Sequence, residues 1–384
     1  MKPMFPFTQL ASGAAAAWTA GAWARAQLYQ HGLLPQRRLC AKVISIGNIT
    51  WGGTGKTPLT IWLAGRLQAA GLKVSILTRG YGRTSREKVK VLPPGTSPKN
   101  ALHDGDEVQL YLRHLQVPIG IAACRYEAGS AVEEQFPVDV HLLDDGFQHL
   151  ALARDLDLVL VDAKNPWGSR AGFPRLLREG VRALRRTDAI LLTHCDLART
   201  SKESTAALRE LKEAVLRFNL DAPFFSASTR MLGFVDSQGI IAAPDAFAGR
   251  RAVAFCGLGS PRNFLEMFPA EGLHVVAPQE LSVAATKVFP DHHRYTPRDL
   301  ETLEKLSREH GADCLVTTEK DWVNWPKETS ITTPLYWAAI EPVIEQEEYL
   351  LSWLWEKLGL PDRHSQTAAS SENSNTTASL TART

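Results

Sequence analysis

Short apolar runs alternate with stretches of helical spacing through the first two thirds of the chain. The runs have the length of buried strands and lie at Lys42–Ile46, Lys73–Leu77, Lys88–Leu92, Val117–Ala122, Val138–Leu143, Leu156–Val161 and Ala189–Leu192. Between several of them, helical patterns occupy Leu59–Ala70, Asp104–Leu115 and Lys202–Phe218. Strands that alternate with helices are typical of a parallel sheet covered by helices. We therefore predict an α/β fold with a mostly parallel sheet flanked by helices.

The pattern changes near residue 230. Phe234–Ile241 predicts a two-stranded ribbon that turns at residues 236–239, and a second, smaller α/β unit follows from Arg251. In that unit we predict strands at Ala252–Cys256, Leu273–Ala277 and Cys314–Thr318, and helices at Pro261–Met267, Pro297–His310 and Glu347–Leu358. The predicted organisation is an N-terminal segment at 1–38, a core at 39–230, a connecting ribbon at 231–250, the smaller unit at 251–360 and a disordered tail at 361–384.

The N-terminal segment is uncharged from Pro3 to Ala24 and rich in Ala, Trp, Phe and Gly. It has three possible interpretations: a signal peptide, a weakly hydrophobic membrane span, or a helix lying in the membrane interface. We favour the interfacial helix, in which Trp18 and Trp23 enter the lipid and Arg25 follows on the aqueous side. A buried helix remains the alternative, and whether the segment spans the membrane stays open.

Composition narrows the class of protein. The net charge of +2 argues against a dedicated nucleic-acid binder. The five cysteines are scattered without CxxC spacing, which fits a reducing compartment and argues against a zinc site or a disulfide framework. We expect no obligate protein partner.

The strand at Lys42–Ile46 runs into the glycine-rich sequence GNITWGGTGKTP at residues 47–58. Such a loop directs backbone N–H groups at phosphate oxygens, its lysine reaches the outer phosphates, and its threonine hydroxyl binds Mg²⁺. Thr50 stands where the standard loop has glycine, so the sequence resembles the GGxGKT variant of partitioning-type ATPases. We predict ATP as the ligand, held by Gly52, Gly53, Thr54, Gly55, Lys56, Thr57 and Pro58.

Acidic residues end two of the predicted strands. Asp144 and Asp145 follow Val138–Leu143, and Asp162 follows Leu156–Val161. In a parallel sheet, groups at the carboxyl ends of strands lie beside the phosphate loop. Asp144 and Asp145, with Thr57, are therefore the predicted Mg²⁺ ligands, and Asp162 remains a rival.

Three further clusters could serve catalysis. Asp106 stands at a helix start, where it could cap the helix or receive a hydroxyl proton. Asp291 and His292 lie in the sequence PDHH, which could orient a base or, as in DHH phosphoesterases, bind metal. The third cluster is a run of arginines between Arg170 and Arg186, either a solvated helix face or a patch for anionic groups.

Taken together, these segments resemble the tetraacyldisaccharide 4'-kinase family, the lipid A 4'-kinases of Gram-negative bacteria. The matching stretches occur in family order over about residues 5–358: GNITWGGTGKTP, LTRGYGR, GDE at Gly105–Glu107, DDGFQH at Asp144–His149, LRE at Leu177–Glu179, GLGSPRNF, FPDHHRY and TTEKD at Thr317–Asp321. Residues 171–180 depart from the family pattern AGPLREP by extra residues and a missing proline.

The resemblance implies a P-loop kinase, peripheral or monotopic at the cytoplasmic face of the bacterial inner membrane. It would use Mg²⁺ to move the ATP γ-phosphate to the 4'-hydroxyl of a lipid disaccharide monophosphate. Asp106 and His292 would then activate the sugar hydroxyl with support from Asp291, Lys56 would act on the phosphates, and Arg178 and Glu179 would be active-site residues. The expected partners are the glycolipid substrate and the membrane lipid surface.

The alternative function is a membrane-attached, partitioning-type ATPase switch. It explains the GGTGKT loop and the membrane-seeking N-terminus. It leaves Asp106 and the Asp291-His292 pair without a role.

Overall fold

The computed structural model describes residues 5–98, 103–168, 177–195, 202–268, 281–326 and 331–360. Thirteen strands within these ranges form one sheet. They are β1 Lys42–Asn48, β2 Val74–Thr78, β3 Val89–Leu92, β4 Ile119–Ala122, β5 Val140–Asp144, β6 Leu156–Asp162, β7 Ala189–Thr193, β8 Phe224–Val235, β9 Ile241–Ala242, β10 Arg251–Cys256, β11 Ser282–Val288, β12 Cys314–Thr318 and β13 Leu335–Ile344.

The strand order is β11-β10-β12-β13-β8-β7-β6-β1-β5-β2-β4-β3, with β9 paired to β8. Neighbouring strands are parallel except in the pairs β3–β4, β8–β13 and β8–β9. The predicted fold class, a mostly parallel α/β sheet, is confirmed.

Strand β8 joins the two halves of the sheet. Its first residues pair in parallel with β7, from Phe224 to Ser226, and the rest of the strand pairs antiparallel with β13. It then turns through Asp236 into β9, where the sequence predicts a ribbon. The change of pattern near residue 230 therefore falls within one continuous sheet.

The described chain contains nine α-helices: α1 Phe5–Gln30, α2 Lys56–Ala69, α3 Asp106–His114, α4 Arg125–Glu133, α5 Lys202–Leu216, α6 Pro261–Leu265, α7 Pro297–His310, α8 Glu319–Val323 and α9 Glu347–Leu358. The largest core packs α2, α3 and α9 on one face of β1, β5 and β6, through Leu63, Leu112 and Leu354. Burying these apolar stripes covers the hydrophobic strands.

The sequence pattern misses β11, β13, α4 and α8, and detects only the end of β8. Strand β11 lies at the sheet edge and carries no fully buried residue, so it lacks the apolar run that marked the central strands. The predicted strand at Leu273–Ala277 and the predicted disordered tail at 361–384 lie outside the described residues.

The N-terminal segment forms helix α1. The side chains of Trp18, Trp23 and Leu28 on this helix are exposed, as is Leu33 just beyond it. None of the helices in the described part of the chain combines the length and apolar character needed to cross a membrane.

Within each half of the sheet, parallel pairing sends the carboxyl ends of the strands to one edge. The loops that follow β1, β2 and β5 emerge at this edge of one half, and those that follow β10, β11 and β12 emerge at this edge of the other half. The two halves run in opposite directions, because β13 is antiparallel to β8. They carry most of the sequence motifs, and the candidate site is built from them.

Candidate active site

The phosphate-binding loop joins β1 to α2. Gly52 and Gly55 have φ angles of 123° and 82°, which side-chain-bearing residues rarely adopt. The loop is fixed from within, because the Asn48 side-chain amide donates to Thr54 Oγ1 at 3.0 Å. Helix α2 begins at Lys56, so its N-terminal N–H groups and positive dipole end face the loop. This arrangement suits a bound phosphate.

Two cations of the site share one carboxylate. Lys56 Nζ lies 3.4 Å from Asp145 Oδ1, and the Arg178 guanidinium binds Asp145 Oδ2. Burial raises the pKa of Asp145, but Lys56 and Arg178 outweigh burial and lower it to about 2. Asp145 is therefore ionised at every physiological pH.

Arg178 is also attached to the phosphate-binding loop itself. Its backbone N–H donates to Ile49 O at 2.8 Å, and its guanidinium lies 5.0 Å from the centre of the Trp51 ring. Helix α1 reaches the same residue, because Trp18 Nε1 donates to Arg178 O at 3.1 Å. The extra residues of the departing segment thus do not remove Arg178 from the site.

Asp144 ends β5 and is almost fully buried beside Asp145. Burial, reinforced by the Asp145 charge, raises its pKa, while Lys56 opposes the rise. Asp145 itself has a φ of 50°, one of three positive values at non-glycine residues within the described ranges. Two of these three, Asp145 and His292, are predicted site residues, in keeping with the tendency of backbone strain to cluster at functional sites.

Glu179 has its ion-pair partner outside the phosphate-binding loop. It is buried and paired with Arg186, whose guanidinium lies 3.8 Å from the centre of the Phe147 ring and donates to Phe147 O. Burial raises the pKa of Glu179, and Arg186 works against that rise. The pair supports the loop that follows Asp144 and Asp145. Arg182 and Arg185 of the arginine run are exposed, whereas Arg170 and Arg175 lie outside the described residues.

Asp106 and His292 meet although they belong to opposite halves of the sheet. His292 Nδ1 lies 2.8 Å from Asp106 Oδ2. Gly105 is the N-cap of α3, but Asp106 lies in the first turn and accepts from the Glu107 N–H at 3.0 Å, so it also serves the helix start. Burial raises the pKa of Asp106, but the bond to His292 and the charge of Lys320 lower it overall. Asp106 is consequently an ionised, hydrogen-bonded carboxylate.

Three more side chains complete this cluster. Lys320 Nζ lies 3.2 Å from Asp291 Oδ1 and 3.3 Å from His292 Nε2. Asn324 donates to Asp106 Oδ2 at 3.4 Å, and the Tyr81 ring lies 4.7 Å from the His292 ring. Burial lowers the pKa of His292, but its contact with Asp106 raises it, and the net shift is upward.

The two clusters are adjacent. A Cβ placed on Gly259, in the loop after β10, would lie 3.2 Å from Gly52 Cα and 2.9 Å from Asp291 Oδ2. Glu107 interacts electrostatically with both clusters. Burial, together with the charges of Asp144 and Asp106, raises its pKa to about 8. The phosphate-binding loop and the Asp106–His292 pair therefore form a single site.

The rival residues have other partners. Asp162 accepts from Asn263 at 2.9 Å and lies 3.3 Å from His194. His293 binds Asp299 at 3.1 Å rather than turning towards Asp106. Among the residues that the structure describes, no three His, Cys, Asp or Glu side chains are grouped so that they could hold a metal ion.

Comparison with known proteins identifies the family. The model of the family described as tetraacyldisaccharide-1-P 4'-kinase matches residues 9–359. The chain belongs to this kinase family. The family predicted from the sequence motifs is confirmed, as is the prediction of an enzyme, and the ATPase-switch alternative is set aside.

Individual relatives of the chain carry the same family name. A tetraacyldisaccharide 4'-kinase of Syntrophobacter fumaroxidans is 39% identical over 294 residues, covering 76% of this chain and 73% of the relative. One from Syntrophus aciditrophicus is 32% identical over 352 residues, covering 90% and 92%. The crystal structure of LpxK from Aquifex aeolicus in complex with ATP aligns with a TM-score of 0.65 and 26% identity, covering 92% of this chain and 98% of that one.

The structure thus brings Lys56, Asp144, Asp145 and Arg178 together, and beside them Asp106, Asp291 and His292. Sequence reasoning gave no role to Glu107 or Lys320. Both stand in motifs that the sequence displays, GDE and TTEKD, so the motifs located them without indicating what they contact.

Proposed function

We propose that the protein transfers the γ-phosphate of ATP to the 4'-hydroxyl of a tetraacyldisaccharide 1-phosphate. The observation that carries this proposal is the adjacency of an ionised carboxylate–imidazole pair, Asp106 and His292, to a phosphate-binding loop. Hydrolysis for switching needs no base for an alcohol, whereas transfer to a sugar hydroxyl does.

In this proposal Asp106 receives the proton of the attacking hydroxyl. His292 donates to Asp106 Oδ2 and so holds the carboxylate in place, and Asp291 lies 3.9 Å from His292 Nε2 on its other side. The depressed pKa of Asp106 keeps it ionised and able to accept a proton at neutral pH. Lys56 and Arg178 stabilise charge on the transferring phosphoryl group, and Gly52 to Pro58 hold the phosphates.

The residues present fit Mg²⁺. Buried Asp145 Oδ1 has no hydrogen-bond donor within the described residues other than its ion pair with Lys56, and buried Asp144 has a raised pKa that a nearby dication would lower. Hydroxyl and carboxylate oxygens, completed by phosphates, are the usual ligands of this ion. Thr57, Asp144 and Asp145 would hold it, and the ion would neutralise phosphate charge when bound.

We further propose that α1 places the site at the cytoplasmic face of the inner membrane, as a peripheral or monotopic anchor. Trp18 and Trp23 are 60% and 52% exposed, which is unusual for indole rings and typical of side chains that enter a lipid interface. Because Trp18 also binds the Arg178 backbone, the anchor is joined directly to the active site. A lipid acceptor could then reach Asp106 without leaving the membrane.

The test is acceptor dependence. The purified protein is incubated with γ-labelled ATP, Mg²⁺ and tetraacyldisaccharide 1-phosphate, with Lys56→Ala as the negative control. We expect label in the glycolipid, and none with an acceptor that lacks the 4'-hydroxyl. Release of inorganic phosphate without acceptor labelling would contradict the proposal.

A further inference from the structure

The segment Thr317–Asp321 is conspicuous in the sequence and has no role in the proposed reaction so far. Most of it serves to fix its own position. Asp321 accepts from the Gly257 N–H at 2.8 Å and from the Tyr295 hydroxyl at 2.8 Å, and Thr318 caps α8 by accepting from the Asp321 N–H. The segment is thereby attached to the loops after β10 and β11, the second of which carries His292.

The same segment holds the helix that carries Asp106. Glu319 binds Arg113 Nε at 2.9 Å and His114 Nε2 at 2.7 Å, both at the C-terminal end of α3. A cation near a helix C-terminus also interacts favourably with the helix dipole. Residues 317–321 thus connect the elements that carry the two members of the base pair.

Within this segment, Lys320 is the residue whose side chain reaches the Asp106–His292 pair. Its side chain is only 20% exposed, and its Nζ lies 3.3 Å from His292 Nε2, 3.2 Å from Asp291 Oδ1 and 3.9 Å from Asp106 Oδ2. An ammonium group only donates hydrogen bonds. In the neutral ring, His292 Nε2 therefore accepts, which leaves the ring proton on Nδ1, facing Asp106.

We propose that Lys320 is a positioning residue that selects the Nδ1–H tautomer of His292 and so presents a hydrogen-bond donor to Asp106. The proposal rests on the role assigned above to Asp106 and His292. Lys320 acts through these two residues, and the wrong tautomer would put two lone pairs against each other at the 2.8 Å contact.

The charges around the pair determine the pH dependence. Asp106 faces His292, Lys320 and Glu107, and His292 faces Asp106, Asp291 and Lys320. Lys320 lowers the pKa of both Asp106 and His292. Removing it raises both values, so the acidic limb of the rate profile moves to higher pH.

The first test compares Lys320→Met, which keeps length without charge, with Lys320→Arg and with Lys305→Met, an exposed lysine on α7. We expect Lys320→Met to lower kcat at least about tenfold with little change in the KM for ATP, and to move the acidic limb up by about 1 pH unit. Lys320→Arg keeps the positive charge and should keep much of the wild-type pH profile. Lys305→Met should have the kcat and the pH profile of the wild type. An unshifted profile in Lys320→Met would overturn the proposal.

The second test needs no activity. Nitrogen-15 spectra of labelled histidine, assigned to His292 by its loss in His292→Gln, report the ring tautomer in the wild-type protein. We expect a protonated Nδ1 and a bare Nε2 at a pH above the pKa of His292, where the ring is neutral. A proton on Nε2 with a bare Nδ1 would overturn the proposal even if Lys320→Met fails to fold.

Asp106→Asn separates the two levels of inference. If Asp106→Asn keeps wild-type kcat, the proposed base is wrong. If Asp106→Asn loses activity while Lys320→Met keeps both the wild-type kcat and the wild-type pH profile, Asp106 remains the proposed base and the role proposed for Lys320 is wrong.

Discussion

His292 Nδ1 lies 2.8 Å from Asp106 Oδ2, although 186 residues separate the two in the chain. The contact joins the two halves of the sheet, because Asp106 begins α3 beside the phosphate-binding loop and His292 follows β11 at the far edge. A nucleotide on the loop and a hydroxyl beside the pair would therefore be in neighbouring positions. The following predictions test this arrangement.

Lys56→Ala should reduce turnover at least about a hundredfold, because the ammonium stabilises charge on the transferring phosphoryl group. The protein should still fold, with a modest fall in melting temperature, because Lys56, the first residue of α2, loses its ion pair with Asp145. Lys88→Ala, at a lysine whose side chain is 82% exposed, is the matched control. Retention of more than about a tenth of the activity, a loss under about 1.4 kcal/mol, would contradict the phosphate-loop assignment.

Gly259→Ala should lower kcat and weaken nucleotide binding. A Cβ there would approach Gly52 Cα and the Asp291 carboxylate, so the phosphate-binding loop and the loop that carries His292 would have to move apart. Gly65→Ala on α2 is the control, because nothing lies within 4 Å of its added Cβ and alanine favours a helix. Equal kinetics for Gly259→Ala and the wild type would show that the two loops need not be this close.

Asp145→Asn should destabilise the protein by about 1–2 kcal/mol at pH 7, after allowance for the partial exposure of the side chain. Asparagine tolerates the left-handed backbone at this position, so the charge is the main change. The pKa of Asp145 is about 2 in the folded protein, below its ordinary value of 3.8. Its contribution is complete above pH 4 and is lost as the pH falls towards 2.

Denaturant titrations of Asp145→Asn and the wild type across this range measure the effect. The difference in the free energy of unfolding should shrink as the pH falls from about 4 to about 2. A difference that stays constant over this range would mean that the ion pairs with Lys56 and Arg178 do not stabilise the fold.

Trp23→Ser should weaken binding to anionic vesicles several-fold, because an exposed indole ring on α1 no longer enters the interface. Ile240→Ser removes an equally exposed apolar side chain from the turn between β8 and β9 and should have no effect. Sedimentation with vesicles compares the two. Deletion of Met1–Leu34 should shift the protein further towards the soluble fraction, and equal partitioning of truncated and full-length protein would exclude this anchor.

Much of the site could be predicted from the sequence because local chemistry marks it. The glycines before Lys56 form one local signal, and the acids directly after a buried strand form another, each contained within about ten residues of the chain. The parallel-sheet rule then predicts that these groups meet at one edge. Strands β11 and β13 escaped this reasoning, because β11 is little buried and β13 contains Glu341 and Pro342, residues that strands disfavour.

Contacts between distant segments could not be worked out in the same way. Nothing in TTEKD distinguishes Lys320, which reaches His292, from Glu319, which binds α3. Glu107 likewise reads as a helix-start acid, and only burial beside Asp144 and Asp106 gives it a pKa of about 8. Such roles depend on the packing of the two halves of the sheet.

The most direct measurement is the kcat of acceptor-dependent transfer for Asp106→Asn, His292→Ala and the double variant, with melting temperatures as controls. We predict that each single variant loses at least about a hundredfold in kcat with a nearly unchanged KM for ATP, because a base acts in the chemical step. The double variant should be little worse than the worse single one, since paired groups act as a unit. Near wild-type kcat for Asp106→Asn, or fully additive losses, would contradict the account.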